Sequence, residues 1–216
     1  MKKNAGFLRA RGEEQKKIRR QQIVDAAASL YAEVGYDKVT FSKIGRKVSF
    51  TRLNLYNYYS CKEDIFLTLL LQDRWNTLED ARNTFSGAVT DQDAFCLEWA
   101  KMLLRHQRMM ALFSIANTVI LKDASSEMHR RFRIEMRQAF GKLTALIKEL
   151  FPEFTPEQAS LFVECESSYA LTLYPASLEY KNRMNIEFFQ DEGWGSRDFV
   201  SQYVTFLKVL LKGLDK

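Results

Sequence analysis

Ile23, Ala26, Ala27, Leu30, Tyr31 and Val34 fall at i, i+3, i+4, i+7, i+8 and i+11, which is the apolar face of a helix. Gly35 stands just past the last of them, where a left-handed residue closes a helix without a side-chain clash. Thr40 is placed to cap a second, short helix whose apolar positions Phe41, Ile44 and Val48 recur at i, i+3 and i+7. Ser49, Phe50 and Thr51 break that pattern. Thr51 can cap a third short helix running to about Tyr58, and Ser60, Cys61, Lys62 and Glu63 match the S-x-x-E capping box at the head of a fourth. Further periodic stretches predict helices over roughly 62–85, 91–107, 109–121, 126–149, 156–181 and 196–213.

Two details sharpen these limits. Thr155, Pro156, Glu157 and Gln158 combine a capping box with proline at the first helical position, fixing the start of the 156–181 helix. Pro175 is expected to bend or shorten that helix, because it lacks a backbone donor and clashes with the preceding turn. Residues 182–195, with Phe188, Phe189, Gly193, Trp194 and Gly195, have no helical period and are expected to be irregular. Composition agrees with an all-α chain: 9 glycines and 3 prolines in 216 residues are about half the average share, too few for the turns of a sheet protein. The length suffices to bury a core without disulfides or metal.

Charge divides the chain. Residues 1–62 hold 14 Lys and Arg against 5 acids, and residues 63–216 hold 18 against 22. A net +5 is thus a +9 head on a −4 body, and such a head suits a polyanion, either nucleic acid or an anionic membrane surface. The segment Lys2–Arg20 can be a basic arm that touches phosphate or the minor groove, or a solvated tail. No run approaches the roughly 18 apolar residues of a membrane span, and no apolar segment or cleavage site follows the basic start, so a cytoplasmic protein is expected. Cys61, Cys96 and Cys165 are odd in number and widely spaced, which argues for reduced thiols rather than disulfides or a zinc site. Neither metal nor cofactor is expected.

Two short helices joined by a tight turn fit a helix-turn-helix. Phe41, Ile44, Val48, Leu55 and Tyr59 can face the first helix, leaving Arg52, Leu53, Asn54, Tyr56, Asn57 and Tyr58 outward or sideways. That outer set can read bases: arginine forks onto guanine, asparagine pairs with adenine, and an exposed leucine packs on a thymine methyl. Tyrosine hydroxyls and Lys62 can reach phosphates beside the amides of a helix start. Tyr56 and Tyr58 can instead pack against the first helix, and Asn57 can be merely solvated.

From Ile23 to Phe66 these residues resemble the DNA-binding domain of TetR-type repressors. The shared pattern is Ile23, Ala26 to Ala28, Tyr31 to Gly35, Thr40 to Ile44, and the run Leu55, Tyr56, Asn57, Tyr58, Tyr59, Ser60, Cys61, Lys62, Glu63. The resemblance implies that Thr40 and Ser42 touch phosphate, that Thr51, Arg52, Leu53, Asn54, Tyr56, Asn57 and Tyr58 form the recognition surface, and that Lys62 is a phosphate anchor. Two positions depart from it. Ser49 stands where the turn glycine is usual, so the turn must avoid positive φ or bear strain. Leu53 replaces a small residue, favouring an apolar base contact over close backbone approach.

The resemblance further implies two domains: an N-terminal three-helix helix-turn-helix DNA-binding domain in residues 1–62, and a helical domain in 63–216 that dimerises and encloses a ligand. Phe199, Val200, Tyr203, Val204, Phe206, Leu207, Leu210, Leu211 and Leu214 spread too widely for one core stripe. With the 156–181 helix they can form a homodimer interface of four helices. A twofold dimer would read an inverted-repeat operator on double-stranded DNA. Trp75, Trp99, Met102, Leu103, Phe113, Tyr169 and Tyr174 can line a pocket for a small apolar ligand or simply be core. Glu166, in an otherwise apolar helix, can anchor such a ligand or pair with a neighbouring helix. The expected function is a homodimeric repressor released from its operator by a small molecule, the alternative being a helical DNA-binding or adaptor protein without a ligand. An enzyme is not expected: His106 and His129 are the only histidines, and neither the H-E-x-x-H nor the phosphate-loop, G-x-S-x-G or dinucleotide patterns occur.

Overall fold

In the computed structural model the described residues are 3–183 and 198–215, with side chains described for 12–178 and 198–215. The segment expected to be irregular, 182–195, falls almost wholly outside them. Among the described residues all regular structure is helical: α1 Lys3–Val34, α2 Phe41–Lys47, α3 Arg52–Tyr56, α4 Lys62–Thr84, α5 Gln92–Arg105, α6 Gln107–Ala116, a single 3₁₀ turn Ile120–Lys122, α7 Ser126–Leu150, α8 Pro156–Arg183 and α9 Phe199–Leu214. None of the described helices is long and apolar enough to cross a membrane.

Local chemistry explains most of these limits. Thr40 and Thr51 accept the Lys43 and Asn54 amides through their hydroxyls, each at 3.2 Å, and so start α2 and α3. The capping box at α8 is complete: Thr155 Oγ1 accepts the Gln158 amide at 3.2 Å and Gln158 Oε1 accepts the Thr155 amide at 2.7 Å. The box expected at α4 is put to other use, because the Glu63 carboxylate takes the Tyr36 hydroxyl at 3.2 Å. Gly35 does close α1, at φ +75°. Upstream, however, α1 begins at Lys3 rather than near Ile23, and its side chains from Gly12 to Gln22 are exposed. Lys, Arg, Glu and Gln are good helix formers without needing an apolar stripe. Pro175 does not shorten α8, which continues to Arg183.

The chain packs as two units, residues 1–69 with 118–132, and residues 70–117 with 133–216. The first therefore extends past the expected limit at 62 and includes the start of α7. Its core is Ile23, Val24, Ala27, Val39, Ile44, Leu55, Tyr59, Ile65 and Phe66. Residues 123–125 are tied to the first turn of α4: the Ser125 amide donates to Asp64 Oδ1 at 2.9 Å, and Cys61 Sγ donates to the Asp123 carbonyl at 3.4 Å. In the second unit α9 packs on α5 and α8, and α6 packs on α8. Phe85, Phe95, Trp99, Phe151 and Phe162 form a cluster of ring contacts at its centre.

Candidate functional site: a nucleic-acid interface and a cavity

The turn between α2 and α3 decides what α3 presents. The Ser49 amide bonds to the Arg46 carbonyl at 3.2 Å and the Phe50 amide to the Gly45 carbonyl at 2.8 Å, which is the Schellman arrangement. It requires a left-handed residue, and Ser49 takes φ +59°. Of the two possibilities open in the sequence, this turn bears the strain. Gly45 lets the helices close: a Cβ there would stand 3.0 Å from both the Phe50 carbonyl oxygen and Leu55 Cδ1. Leu55 is fully buried against this contact, so the rest of the five-residue helix must face away from it.

That outward set is largely the expected one. Arg52, Leu53, Asn54, Tyr56 and Asn57 are exposed, Leu53 to 77% and Tyr56 to 48%. Arg52 lies along its own helix, with Nη2 and Nε donating to the Tyr56 hydroxyl at 3.2 and 3.3 Å. The Tyr56 ring in turn meets Phe41 at 5.0 Å between centroids. Tyr58 is half-buried and stacks on Phe50 at 5.9 Å, with the Arg19 guanidinium 5.4 Å from the Phe50 centroid. It thus leans back on the fold more than Tyr56 does.

Thr40 and Ser42 are exposed at the start of α2, and Thr51 at the start of α3. Lys62 opens α4 with its Nζ 3.9 Å from the Tyr36 ring centroid and 3.8 Å from Glu63 Oε1, its side chain only 18% exposed. Tyr36 is itself fixed, edge-on to Phe66 at 4.8 Å. Burial, and next the Glu63 charge, push its phenol pKa well up, so it stays a neutral donor. Lys62 is therefore a held cation.

The second unit holds a cavity of about 220 Å³. Leu103, Phe113 and Glu166 border it as expected, and Met109, Met110, Met136, Phe140 and Leu171 supply most of the remaining apolar wall. Five expected residues lie elsewhere. Trp99 and Met102 are core, with Trp99 in the aromatic cluster. Tyr169 stacks on Phe206 at 4.0 Å, Tyr174 donates to Gln107 Oε1 at 2.9 Å, and Trp75 lies under Lys142 and donates to Glu135 at 3.3 Å. Ring contacts hold Trp99 and Tyr169 away from the cavity, and polar partners hold Trp75 and Tyr174.

Glu166 is buried and receives the Tyr203 hydroxyl at 2.6 Å, the Ser167 hydroxyl at 2.7 Å and Trp99 Nε1 at 3.4 Å. Burial pushes its pKa up, opposed by these donors and by the charge of Arg74. Arg74 also borders the cavity and was not expected there. A signal existed: Leu67, Leu70, Leu71, Arg74, Leu78 and Ala81 share the helical period of buried positions.

An exposed face of Arg, Leu, Asn and Tyr on a capped second helix, packed through a close glycine contact onto the first, is the arrangement of a helix-turn-helix. Residues 23–69 match the family described as "Bacterial regulatory proteins, tetR family", and residues 71–216 match "Tetracyclin repressor-like, C-terminal domain". The chain belongs to the TetR family of DNA-binding transcriptional regulators. It is 22% identical over 138 residues to the "Fatty acid metabolism regulator protein" of Bacillus subtilis, covering 62% of this chain and 69% of that one. Among solved structures, the fatty acid degradation regulator FadR of Bacillus halodurans superposes with a TM-score of 0.56 at 19% identity, covering 90% of this chain and 95% of that one. FadR of Bacillus subtilis in complex with stearoyl-CoA gives 0.51 at 16% identity, covering 89% and 98%.

Proposed function

We propose that the chain is a homodimeric repressor that reads an inverted-repeat operator in the cytoplasm and is released when a small ligand enters the cavity of its second unit. The observation that carries the DNA part is the exposed set Arg52, Leu53, Asn54, Tyr56 and Asn57 on a helix whose buried side is pinned by Leu55. Arg52 and the asparagines would read base edges, Leu53 a thymine methyl, and Thr40, Ser42, Thr51, Tyr58 and Lys62 would hold phosphates. The second face of α9, with Phe206 half-buried and Val209 67% exposed, supports dimerisation with α8, whose Leu161 is 47% exposed. The stearoyl-CoA complex of a protein of the same fold supports a ligand-responsive second unit.

Release follows if the ligand prefers a state in which the two recognition helices no longer match successive major grooves, about 34 Å apart. Selection from random duplexes tests the proposal: it should enrich an inverted repeat. Arg52→Ala should then lose about 1 to 3 kcal/mol of discrimination at one base position per half-site. Enrichment of no sequence, or an Arg52→Ala protein with unchanged selectivity, refutes it.

A further inference from the structure

We infer that the cavity is built for a small monocarboxylic acid, a ring-sized apolar body whose carboxylate seats on Arg74. The inference rests on the ligand-responsive reading above and narrows it to a chemical class. Arg74 is buried on α4 at the cavity wall, and its Nε has no hydrogen-bond partner in the protein. A buried donor left so costs about 1 to 3 kcal/mol. Burial pulls the pKa of its guanidinium below the ordinary arginine value, and the Glu166 charge is the chief influence opposing that. That carboxylate is already engaged, with Ser167 on Oε1 and both Tyr203 and Trp99 on Oε2. Glu164 also borders the cavity and is exposed, yet Arg74 Nε is paired with neither carboxylate, so it is the Arg74 guanidinium that is left for an acceptor the protein does not supply. Arginine keeps its proton in proteins, and a carboxylate is the acceptor that answers it with a charge-assisted bond.

The other walls set the body of the ligand. Met109, Met110, Phe113, Met136 and Phe140 offer thioethers and rings, which pack favourably on an aromatic ring. The volume, about 220 Å³, lies between the roughly 150 Å³ that accepts one benzene and the roughly 300 Å³ at which drug-sized sites begin. A single ring on a short carboxylate tail fits that range.

Calorimetric titration of the full-length protein with 3-phenylpropionate, 3-phenylpropanol, 3-phenylpropylamine and stearoyl-CoA tests the class. The acid should bind at least about tenfold more tightly than the alcohol, the difference expected of a hydrogen bond to a charged group. Arg74→Met keeps the bulk and removes the donor. It should weaken the acid about 10- to 100-fold and the alcohol less than about threefold. The comparison of probes on the unaltered protein stands even if that variant fails to fold. Equal affinity for acid and alcohol, tighter binding of the amine, or binding of stearoyl-CoA alone would overturn the assignment, as would no binding of any probe at millimolar concentration.

Operator release, read in parallel, separates this claim from the broader one. An acid that binds through Arg74 while DNA stays bound upholds the site and defeats the release mechanism. DNA released by stearoyl-CoA and not by the acid does the reverse.

Discussion

Ser49 holds a backbone conformation that L-residues avoid at a cost of about 1–2 kcal/mol, and it does so because two carbonyls of α2 need the amides of the turn. Ser49→Gly should relieve that strain, less the roughly 0.5–1 kcal/mol that glycine loses in chain entropy. Urea unfolding should report a gain of about 0.5 to 1 kcal/mol; a loss would mean that the serine side chain supports the turn. The thiols make a second case. Burial pushes Cys61 and Cys96 up to about 11, so at pH 8 only about one in a thousand is thiolate, the reactive form. Iodoacetamide labelling, mapped by mass spectrometry, should be slow at both in the native protein and rise about tenfold per pH unit up to about pH 10. Fast labelling at pH 8 would contradict their burial. Arg74 belongs at this scale too, since the proposed ligand class turns on its guanidinium.

Helices announce themselves in sequence when their signals are local, and the caps at Thr40, Thr51 and Thr155 are local. The outward set of α3 was legible for the same reason: of its two leucines only Leu55 continues the apolar positions that face the first helix, and it is buried while Leu53 stays exposed. The extension of α1 through the basic segment was not legible, because a solvated helix carries no apolar period. The cavity was legible only in part. Which apolar side chains border a void depends on how rings such as Trp99 and Tyr169 pack across helices, and spacing along one helix does not encode that. The α2–α3 crossing yields its own prediction. Alanine favours a helix over glycine by about 1 kcal/mol, yet at position 45 its methyl would meet a backbone oxygen and Leu55 Cδ1 at 3.0 Å. Gly45→Ala should therefore destabilise the first unit by about 1–3 kcal/mol and weaken DNA binding with it. Thermal unfolding at or above the wild-type temperature would show that the turn can yield.

Charge and assembly belong to the whole chain. With a +9 head, operator affinity should fall steeply with salt, and Lys62→Ala should flatten the log–log slope by about one unit per subunit while weakening all duplexes alike. A sequence-dependent loss would reassign Lys62 to base reading. Val209→Asp places a charge on the exposed face of α9. Light scattering should then find a monomer with unchanged helicity and a loss of operator affinity, because each half-site must be bound alone; a persistent dimer would locate the interface elsewhere. The residues around the cavity run from 74 to 171 and those of the proposed recognition face from 51 to 58, and the two sets share no member. On the proposed assignment of roles, a duplicated copy of this gene would change what it senses by substitutions at Met109 or Phe140 and inherit its operator intact, or change its operator at Arg52 and Asn54 and keep its signal. Sensing and addressing would then be separately heritable, and new regulatory circuits could arise from this chain one substitution at a time.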